Sequence, residues 1–418
     1  MQPPALLRKA GAPPQMVAMG PVSHHVAEVF NSLAVVRNRL ASMDERVVRA
    51  QVAVAGVPAP TGDEGERAAW MRRRFEALGL SNVRCDDAGN VIGRRDVTNP
   101  GAPVVVCAHL DTVFPRATSL AVHRDGARLI GPGITDNGRG LAALLALAEV
   151  VDARTVPLGR PVDFVASTGE EGAGDLRGVK HFFATAPCRP AAMIALDGAG
   201  DCRIINRALG SRRYRVTFEG PGGHSWAAFG APNAVHAAAG ATARLAAIPL
   251  ASSPRTTLTV GRIGGGISVN SIPDYAWLEI DVRSTDDAQL ERMEREVRLA
   301  IAAAAEEENA RRVDNTRSLT FAIARIGDRP GGMTPAEHPL VVAAIEATRL
   351  VGRDAELSIA STDANVPISL GIPAIAIGAG GRGGDAHSTT EWFENADGTL
   401  GVARALTILM TATQLAAD

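Results

Sequence analysis

A histidine and an aspartate stand two positions apart at the end of an apolar run of strand length. The run is Val104–Ala108, and His109 and Asp111 follow it. Because side chains alternate along a strand, residues two apart project from the same face. A neutral imidazole is a good zinc ligand, and a neighbouring carboxylate can hold the second ring nitrogen. One such pair arises often by chance, so the prediction of a metal site depends on further ligands.

Further acidic or histidine residues follow, each close to the end of an apolar run. They are Asp136 in Gly-Ile-Thr-Asp-Asn-Gly, Glu170-Glu171 in Thr-Gly-Glu-Glu-Gly, Asp197 in Ile-Ala-Leu-Asp-Gly and His387 in Gly-Asp-Ala-His-Ser. Two metal ions that share a bridging carboxylate polarise a carbonyl and activate water near neutral pH. Each ion then takes one histidine and one further carboxylate, while a fourth carboxylate carries the proton from water to the leaving amine. The set fits these needs and predicts a two-metal hydrolase site, with Asp111 left to support His109.

Each of these residues also has a purely structural interpretation. Asp136 is as compatible with capping the following helix as with binding a metal, and Asp197 is as compatible with a turn. The adjacent carboxylates of Glu170 and Glu171 are harder to explain in this way, because they repel each other unless a positive group holds them. The joint pattern favours the metal site.

Strands and helices alternate around these residues. Periodicity predicts one helix over 24–49 and a second over 66–78. Strands are predicted at 83–85, 91–94, 104–108, 162–167, 192–196, 357–359 and 374–377, and helices at 138–150, 176–183, 339–351 and 399–416. Several strands are continuous apolar runs, which is typical of an α/β fold with a mostly parallel sheet and helices on both faces. Such sheets place their ligands at the carboxyl ends of the strands, where the candidate residues stand.

The pattern changes near residue 211. The order strand-helix-strand-strand-helix-strand is predicted over 213–219, 233–248, 256–263, 275–284, 286–312 and 319–326. This order is that of an α+β ferredoxin-like sandwich. The α/β character returns after residue 330, so the smaller domain is inserted into the larger one. We expect a flexible N-terminal tail over 1–25, a catalytic domain over 26–210 and 327–418, and the inserted domain over 211–326.

Composition and charge limit the partners and the location. The 418 residues include 46% apolar and 21% charged residues with a net charge of −2, which gives no electrostatic reason to expect nucleic acid or an anionic membrane surface. No apolar run reaches about 18 residues, so no membrane span is expected. The first 23 residues lack the apolar segment of a secretory signal. The four cysteines show no CxxC spacing, which favours a reducing, cytoplasmic location.

These motifs, in this order, resemble the M20 family of zinc aminoacyl hydrolases over about residues 45–415. That family includes carboxypeptidase G-type enzymes, tripeptide aminopeptidases and deacylases such as succinyl-diaminopimelate desuccinylase. The resemblance implies two Zn²⁺ ions per subunit, with Co²⁺ or Mn²⁺ able to replace them. It also implies that His109 and Asp197 bind one zinc and that Glu171 and His387 bind the other. Asp136 is then the ligand that bridges the two ions. Glu170 becomes the general base and proton shuttle, and the peptide bond after Asp136 is expected to be cis.

The same resemblance makes the inserted domain a lid and dimerisation domain, so we expect a homodimer. His224, in Pro-Gly-Gly-His-Ser, resembles a lid histidine that reaches the partner subunit's active site and stabilises the oxyanion there. Asn270 resembles an asparagine that contacts substrate, and Arg283 resembles an arginine that grips a substrate carboxylate. From the residues alone, a buried histidine, a turn asparagine and an edge-strand arginine are the ordinary interpretations.

Few residues point to the substrate. Asp363, in Ser-Thr-Asp-Ala-Asn, resembles a substrate-side position of tripeptidase-like members, and receiving a peptide amine and capping a helix are equally compatible with it. We predict hydrolysis of an amide bond in a small peptide, and the alternative is hydrolysis of an N-acyl amino acid by the same residues. A catalytically silent binding paralogue has no need of the proton shuttle Glu170. A two-metal phosphoesterase would place more Lys or Arg beside the metals than Arg283 alone.

Overall fold

The computed structural model describes residues 20–97, 101–152, 158–313 and 316–415. The helices are α1 (Pro21–Ser32), α2 (Ala34–Ser42), α3 (Asp44–Ala55), α4 (Gly65–Ala77), α5 (Gly138–Val150), α6 (Arg177–Thr185), α7 (Ala234–Ala246), α8 (Asp287–Ala310), α9 (Pro339–Leu350), α10 (Asn365–Ser369) and α11 (Leu400–Gln414). The strands are β1 (Ser81–Cys85), β2 (Val91–Arg95), β3 (Val104–His109), β4 (His123–Asp125), β5 (Arg128–Ile130), β6 (Val162–Ser167), β7 (Ala192–Leu196), β8 (Arg203–Ala208), β9 (Gly210–Glu219), β10 (Gly223–His224), β11 (Thr256–Gly265), β12 (Ser271–Ile272), β13 (Tyr275–Ser284), β14 (Thr320–Arg329), β15 (Gly332–Met333), β16 (Glu356–Ala360), β17 (Ala374–Ile377), β18 (Arg382–Gly384) and β19 (Trp392–Glu394).

The largest sheet has nine strands, and its centre is parallel. The strand order is β1-β2-β6-β3-β7-β17-β8-β15, and β16 pairs with β8. Strands β6, β3, β7 and β17 are parallel neighbours, whereas β1, β2 and β15 form antiparallel pairs towards the edges. Every residue of the four central strands is buried, as expected of apolar strands covered on both faces. The predicted α/β fold with a mostly parallel central sheet is confirmed.

Helices cover both faces of this sheet. Val104 and Val106 of β3 belong to an apolar cluster with α1, α3, α5, α9 and α11. Val105 and Cys107 belong to a second cluster with α6 and α10. Because successive side chains of a strand point to opposite faces, the two clusters lie on the two sides of the sheet. None of the helices in the described ranges combines the length and the apolar character that a membrane crossing needs.

A second unit, residues 210–329, is inserted between β8 and β15. Its sheet has the order β11-β13-β9-β14, and all three pairings are antiparallel. Helices α7 and α8 pack on this sheet around an apolar cluster of their own. Along β13, buried residues alternate with more exposed ones, as a strand with one covered face requires. The predicted ferredoxin-like insertion is confirmed.

The N-terminal helices differ from the prediction. The pattern predicts one helix over 24–49, whereas the structure has three shorter ones, α1 to α3. Buried Val26, Leu33, Leu40 and Val47 recur at equal intervals and belong to one apolar cluster. A straight helix drifts about 20° per seven residues against such a repeat, so the breaks keep these four side chains on the core.

The expected tail is also too long. Residues 1–19 lie outside the described residues, but Pro21 begins α1, and proline is favoured in a first helical turn because it has no N–H to leave unpaired. The short strands β4, β5, β18 and β19 have no counterpart in the prediction, since three residues each are too few to show an alternating pattern. Strand β8 is missed because Asn206 and Arg207 interrupt its apolar run.

Candidate metal centre

The central parallel strands end at one edge of the large sheet, and the candidate residues follow them. His109 is the last residue of β3, and Asp197 follows β7. Glu170 and Glu171 come shortly after β6, and the loop after β17 leads to His387. Because parallel strands share one direction, their carboxyl ends meet at the same edge. The topology therefore brings together residues from both halves of the chain.

Asp136 lies between the two histidines. Its Oδ1 is 3.0 Å from His109 Nε2, and its Oδ2 is 3.2 Å from His387 Nε2. With each oxygen facing a different imidazole, the carboxylate has the arrangement of a ligand that bridges two cations. Asn137, not Asp136, is the N-cap of α5, so the helix-capping interpretation of Asp136 is wrong. The Asp136–Asn137 peptide bond is cis, as the resemblance implies.

Two overlapping groups of ligand atoms share this carboxylate. His109, Asp136 and Asp197 form one group, and their ligand atoms lie within 4.8 Å of one another. Asp136, Glu171 and His387 form the other group, within the same limit of 4.8 Å. His387 Nε2 is 2.8 Å from Glu171 Oε1, and His109 Nε2 is 3.9 Å from Asp197 Oδ1. The five predicted ligands are thus brought together in two sets of nitrogen and oxygen donors.

Asp111 is fully buried and organises the residues around it. Its Oδ1 accepts the N–H of Glu170 at 2.9 Å, and its Oδ2 accepts the N–H of Glu171 at 2.9 Å and the hydroxyl of Thr61 at 2.8 Å. His109 Nδ1 lies 3.1 Å from the Asp111 backbone carbonyl and 3.6 Å from its Oδ1. Burial opposes ionisation, but the contacts with His109 and the backbone N–H groups outweigh it and lower the pKa of Asp111 to about 2. A stable anion therefore holds the imidazole and the backbone of both glutamates.

The cluster carries more negative charge than its own residues balance. Burial, with the Asp136 carboxylate nearby, raises the pKa of Asp197 to about 7. Burial also raises the pKa of Glu171. Hydrogen bonding to Asp136 raises the pKa of His387 to about 9. Cations among these groups would stabilise the carboxylates and take the place of the imidazole proton, so the donor set fits metal ions.

Glu391 is a site residue that the sequence patterns do not single out. It is fully buried, and its Oε1 accepts the N–H of Thr135 at 2.6 Å and that of Asp136 at 2.7 Å. Its Oε2 accepts the N–H of Gly133 at 3.1 Å. Because Glu391 stands four residues after His387, these hydrogen bonds link the loop of His387 to the loop of Asp136. Its only sequence signal is an acidic residue beside a short strand.

Asn137 makes a similar tie between two ligand loops. Its Nδ2 donates to the carbonyl of Leu196 at 2.9 Å, and its Oδ1 accepts the N–H of Gly198 at 3.1 Å. These two groups flank Asp197, while Asn137 itself follows Asp136. The sequence signal is an asparagine before a glycine-rich helix start, which predicts a cap but not a second partner.

Glu170 lies against the cluster and is 6% exposed. Its ligand atoms lie within 4.8 Å of those of His109 and Glu171, and its Oε1 accepts a hydrogen bond from Arg329 Nη1 at 3.2 Å. Burial raises the pKa of Glu170 well above its usual value, and His109 and Arg329 act in the opposite direction. A carboxyl group of this kind beside metal ligands is suited to accept a proton and return it. Arg329 is a second residue that the sequence patterns do not single out.

Asp363 lies close to His109 but is buried. Its Oδ2 accepts hydrogen bonds from Ser167 Oγ at 2.5 Å and Cys107 Sγ at 3.1 Å, and Ser167 pairs with His109 in the sheet. Its Oδ1 is buried without a hydrogen-bond partner among the described residues. The N-cap of α10 is Ala364, so the helix-capping interpretation is wrong. A role towards the substrate stays a prediction.

His224, Asn270 and Arg283 lie on the inserted unit. His224 is exposed on β10, which pairs with β12. The carbonyl of Asn270 accepts the N–H of Ser225 at 3.0 Å, so His224 and Asn270 belong to one ribbon. Arg283, on β13, pairs with Asp281 at 2.7 Å. These contacts are within the inserted unit, and the roles of the three residues stay predictions.

An open pocket of about 530 Å³ adjoins the cluster. Asp136 and Asp197 form part of its wall, and the glycine-rich segments 198–200 and 381–384 form another part. Small residues beside the ligand groups leave room for a substrate, and concave sites of this kind are the usual binding places in enzymes.

Comparison with known proteins agrees with this geometry. The model of "Peptidase family M20/M25/M40" matches residues 105–411. A succinyl-diaminopimelate desuccinylase of Corynebacterium glutamicum is 26% identical over 332 residues, which cover 78% of this chain and 85% of that protein. A tripeptidase structure from Staphylococcus aureus superposes with a TM-score of 0.72 at 22% identity, over 89% of this chain and 99% of the other. Aminopeptidase PepT from Bacillus cereus superposes with a TM-score of 0.68 at 23% identity, over the same shares of 89% and 99%.

The family match covers most of the chain, from β3 into α11. It includes all five candidate ligands and Glu170. The structural likenesses cover 89% of this chain. The chain therefore belongs to peptidase family M20/M25/M40 and is a metal-dependent hydrolase of amide bonds.

Proposed function

We propose that this enzyme is a dinuclear zinc hydrolase that cleaves an amide bond in a small peptide, with Glu170 as the general base. The observation that carries the proposal is the Asp136 carboxylate, whose two oxygens face His109 at 3.0 Å and His387 at 3.2 Å. A site for a single metal has no need of such a bridge. The description of the family as a peptidase family favours a peptide as substrate.

The five ligands divide into two sets that share Asp136. His109 and Asp197 would hold one ion, and Glu171 and His387 would hold the other. When bound, the ions polarise the substrate carbonyl and activate a water molecule for attack. Imidazole and carboxylate ligands suit Zn²⁺, and Co²⁺ or Mn²⁺ are expected to replace it.

Glu170 moves the proton in this scheme. Its carboxylate takes a proton from the attacking water and returns it to the leaving amine, and a raised pKa lets it hold the proton between the two steps. A positioned general base contributes about 10²- to 10⁴-fold to the rate. Asp111 supports the step, because it fixes the backbone N–H groups of Glu170 and Glu171 and orients His109.

We assign residues 26–210 and 327–418 to the catalytic domain, which α1 extends back to Pro21, and residues 211–326 to a lid and dimerisation domain, whose strand β14 continues to Arg329. His224 would reach the partner subunit's active site and stabilise the oxyanion of the transition state. Asn270 would contact the substrate, and Arg283 would hold a substrate carboxylate as a bidentate donor. Asp363, with one oxygen free of hydrogen bonds among the described residues, would receive the amine of a free peptide.

Exposed apolar side chains on the inserted unit support a homodimer. Trp226, Phe229, Ile267 and Val269 flank the paired strands β10 and β12 and are between 84% and 103% exposed. Grouped exposure of large apolar residues is typical of an interaction surface. Strand β11 is an edge strand of the lid sheet, and within the described part of the chain no strand pairs with its outer side. The free cysteines Cys85, Cys107, Cys188 and Cys202 support a cytoplasmic location.

Hydrolysis of an N-acyl amino acid is the alternative function. The same ligands and the same base act on the same type of bond, so the metal centre does not distinguish the two. The desuccinylase relative, at 26% identity, favours this alternative. The difference lies in what surrounds the scissile bond, either a free amine or an acyl group.

A substrate panel separates the two functions. The enzyme, supplied with Zn²⁺, is assayed against free di- and tripeptides, N-blocked peptides, and N-acetyl and N-succinyl amino acids. Cleavage of free-amine peptides alone supports the peptidase and gives Asp363 its role, whereas preference for acylated amino acids supports the alternative. The Glu170→Gln variant, with metal content measured in parallel, shows that the activity belongs to this site. An inactive wild-type protein with two metals bound would overturn both functions.

A further inference from the structure

The loop that carries Glu170 and Glu171 is bound to the inserted unit. This segment, residues 170–175 and here called the Glu170 loop, follows β6 and includes the short 3₁₀ turn Gly172–Gly174. Strands β9 and β14 of the inserted unit contact it at three points. The conformation of the loop therefore depends on where these two lid strands lie.

Two of the contacts involve only residues that have no proposed part in metal binding or proton transfer. Arg213 of β9 donates a hydrogen bond to the carbonyl of Gly172. The carboxylate of Asp175 accepts the N–H of Asp328 of β14 at 2.9 and 3.0 Å. Together they hold the far half of the Glu170 loop against the end of the lid sheet.

The third contact reaches the functional group itself. Arg329, the last residue of β14, donates from Nη1 to Glu170 Oε1 at 3.2 Å and from Nη2 to the backbone carbonyl of Glu170. Nη1 also lies 3.1 Å from Ser361 Oγ. Arg329 is 5% exposed and Glu170 is 6% exposed, so this ion pair is shielded from water, unlike the surface pairs of the lid.

We propose that Arg329 is a positioning residue for the general base, and that it makes the orientation of the Glu170 carboxylate depend on the position of the lid strand β14. The inference rests on the proposed role of Glu170. By holding Oε1 and the backbone carbonyl at once, the guanidinium fixes the side chain from both ends and leaves Oε2 to receive the proton of the attacking water. A displacement of β14 relative to the sheet would release that hold and misdirect the base.

A role as an anchor for a substrate carboxylate fits the geometry less well. The terminal nitrogens of Arg329 already bond Glu170 and Ser361, and the guanidinium is buried. A substrate carboxylate could bind Arg329 only by displacing Glu170, the proposed general base. Arg283, which is 40% exposed, is the better placed group for such an anchor.

The test compares Arg329→Ala and Arg329→Lys with wild type in the zinc-loaded enzyme. We expect Arg329→Ala to lower kcat on the order of 10²-fold, as a small misplacement of a catalytic group does, with KM changed less than about threefold. The bound metal should remain at the wild-type level. Arg329→Lys keeps the charge but cannot hold both Oε1 and the backbone carbonyl of Glu170. Its kcat should therefore lie between that of wild type and that of Arg329→Ala. Arg262→Ala is the matched control, because Arg262 lies on β11 of the same lid sheet, is 68% exposed and pairs with Glu279 instead of the Glu170 loop.

A double-mutant cycle separates positioning from mere structural support. In the Glu170→Gln background, where the base is absent, Arg329→Ala should lower kcat by less than about threefold further. Guanidinium ion at non-denaturing concentrations should restore part of the activity of Arg329→Ala and none of that of Glu170→Gln. If the alanine variant does not fold, Arg329→Lys and its double mutant with Glu170→Gln provide the same comparison.

Four results would overturn the proposal. A large rise in KM with kcat unchanged would make Arg329 a substrate anchor. Full additivity with Glu170→Gln, or loss of bound metal, would make it a structural residue. Wild-type turnover by Glu170→Gln would instead remove the proposed base itself, so failure of the proposed function is recognised independently of Arg329.

Discussion

Replacing Glu391 by glutamine should weaken metal binding without altering a single metal ligand. Glu391 Oε1 accepts the N–H groups of Thr135 and Asp136, and Oε2 accepts that of Gly133. The amide oxygen of glutamine can replace Oε1, but its NH₂ group then faces the Gly133 N–H. One hydrogen bond to a charged group is lost, worth about 1.5–3 kcal/mol. Since about 1.4 kcal/mol is tenfold in affinity, the loss corresponds to about 10- to 100-fold, the range typical of outer ligand supports.

The assay is a competition between the enzyme and a chromogenic chelator for Zn²⁺ at pH 8. Burial raises the pKa of Glu391 to about 7, so the wild-type side chain is ionised at pH 8 and becomes protonated as the pH falls through that value. The difference between Glu391→Gln and wild type should therefore shrink below pH 7. Glu394→Gln, three residues further on in the same hairpin, is the matched control and should bind like wild type. Equal dissociation constants for Glu391→Gln and wild type at pH 8 would refute the reasoning.

Three further predictions concern the site. Glu170→Gln should lower kcat by about 10²- to 10⁴-fold and keep its metal, as measured by turnover beside elemental analysis, because only the proton shuttle is lost; near-normal turnover would exclude that role. Chelation should abolish activity, and metal return should release protons at pH 7, because Asp136 raises the pKa of His387 to about 9 and the protonated ring must lose its proton to bind. Calorimetry in buffers of different ionisation enthalpy measures this release, and an equal heat in every buffer would contradict it. Mixed His224→Ala and Asp136→Asn subunits should regain activity if the lid histidine serves the partner subunit, and no recovery under subunit exchange would count against that arrangement.

The clustering of the candidate ligands was predictable because their positions follow from strand chemistry. His109 and Asp197 directly end or follow apolar strands, and parallel strands bring such ends to one edge whatever their distance in sequence. Glu170 and Glu171 add the signal of two adjacent carboxylates, which need a positive partner. The sequence therefore contains both the chemistry and the topology of the cluster.

The site residues that were not predicted from the sequence have partners that no local sequence pattern specifies. Glu391 accepts backbone N–H groups more than 250 positions away in the chain, and Arg329 reaches a glutamate 159 positions away. A backbone N–H carries no residue identity, so nothing in the sequence marks it as a partner. The same holds for Asn137, whose cap role is readable but whose bonds to Leu196 and Gly198 are not.

Asn137 and Glu391 share one physical role with Asp111. The candidate ligand loops bear like charges that repel one another, and hydrogen bonds between the loops oppose this repulsion. Asp111 joins the β3 end to the glutamate loop, Asn137 joins the loops of Asp136 and Asp197, and Glu391 joins those of Asp136 and His387. Each of these three bonds is made with a backbone N–H or carbonyl group and not with a candidate ligand atom. Hydrogen bonds from outside the candidate ligand set therefore help to fix the spacing of the cluster.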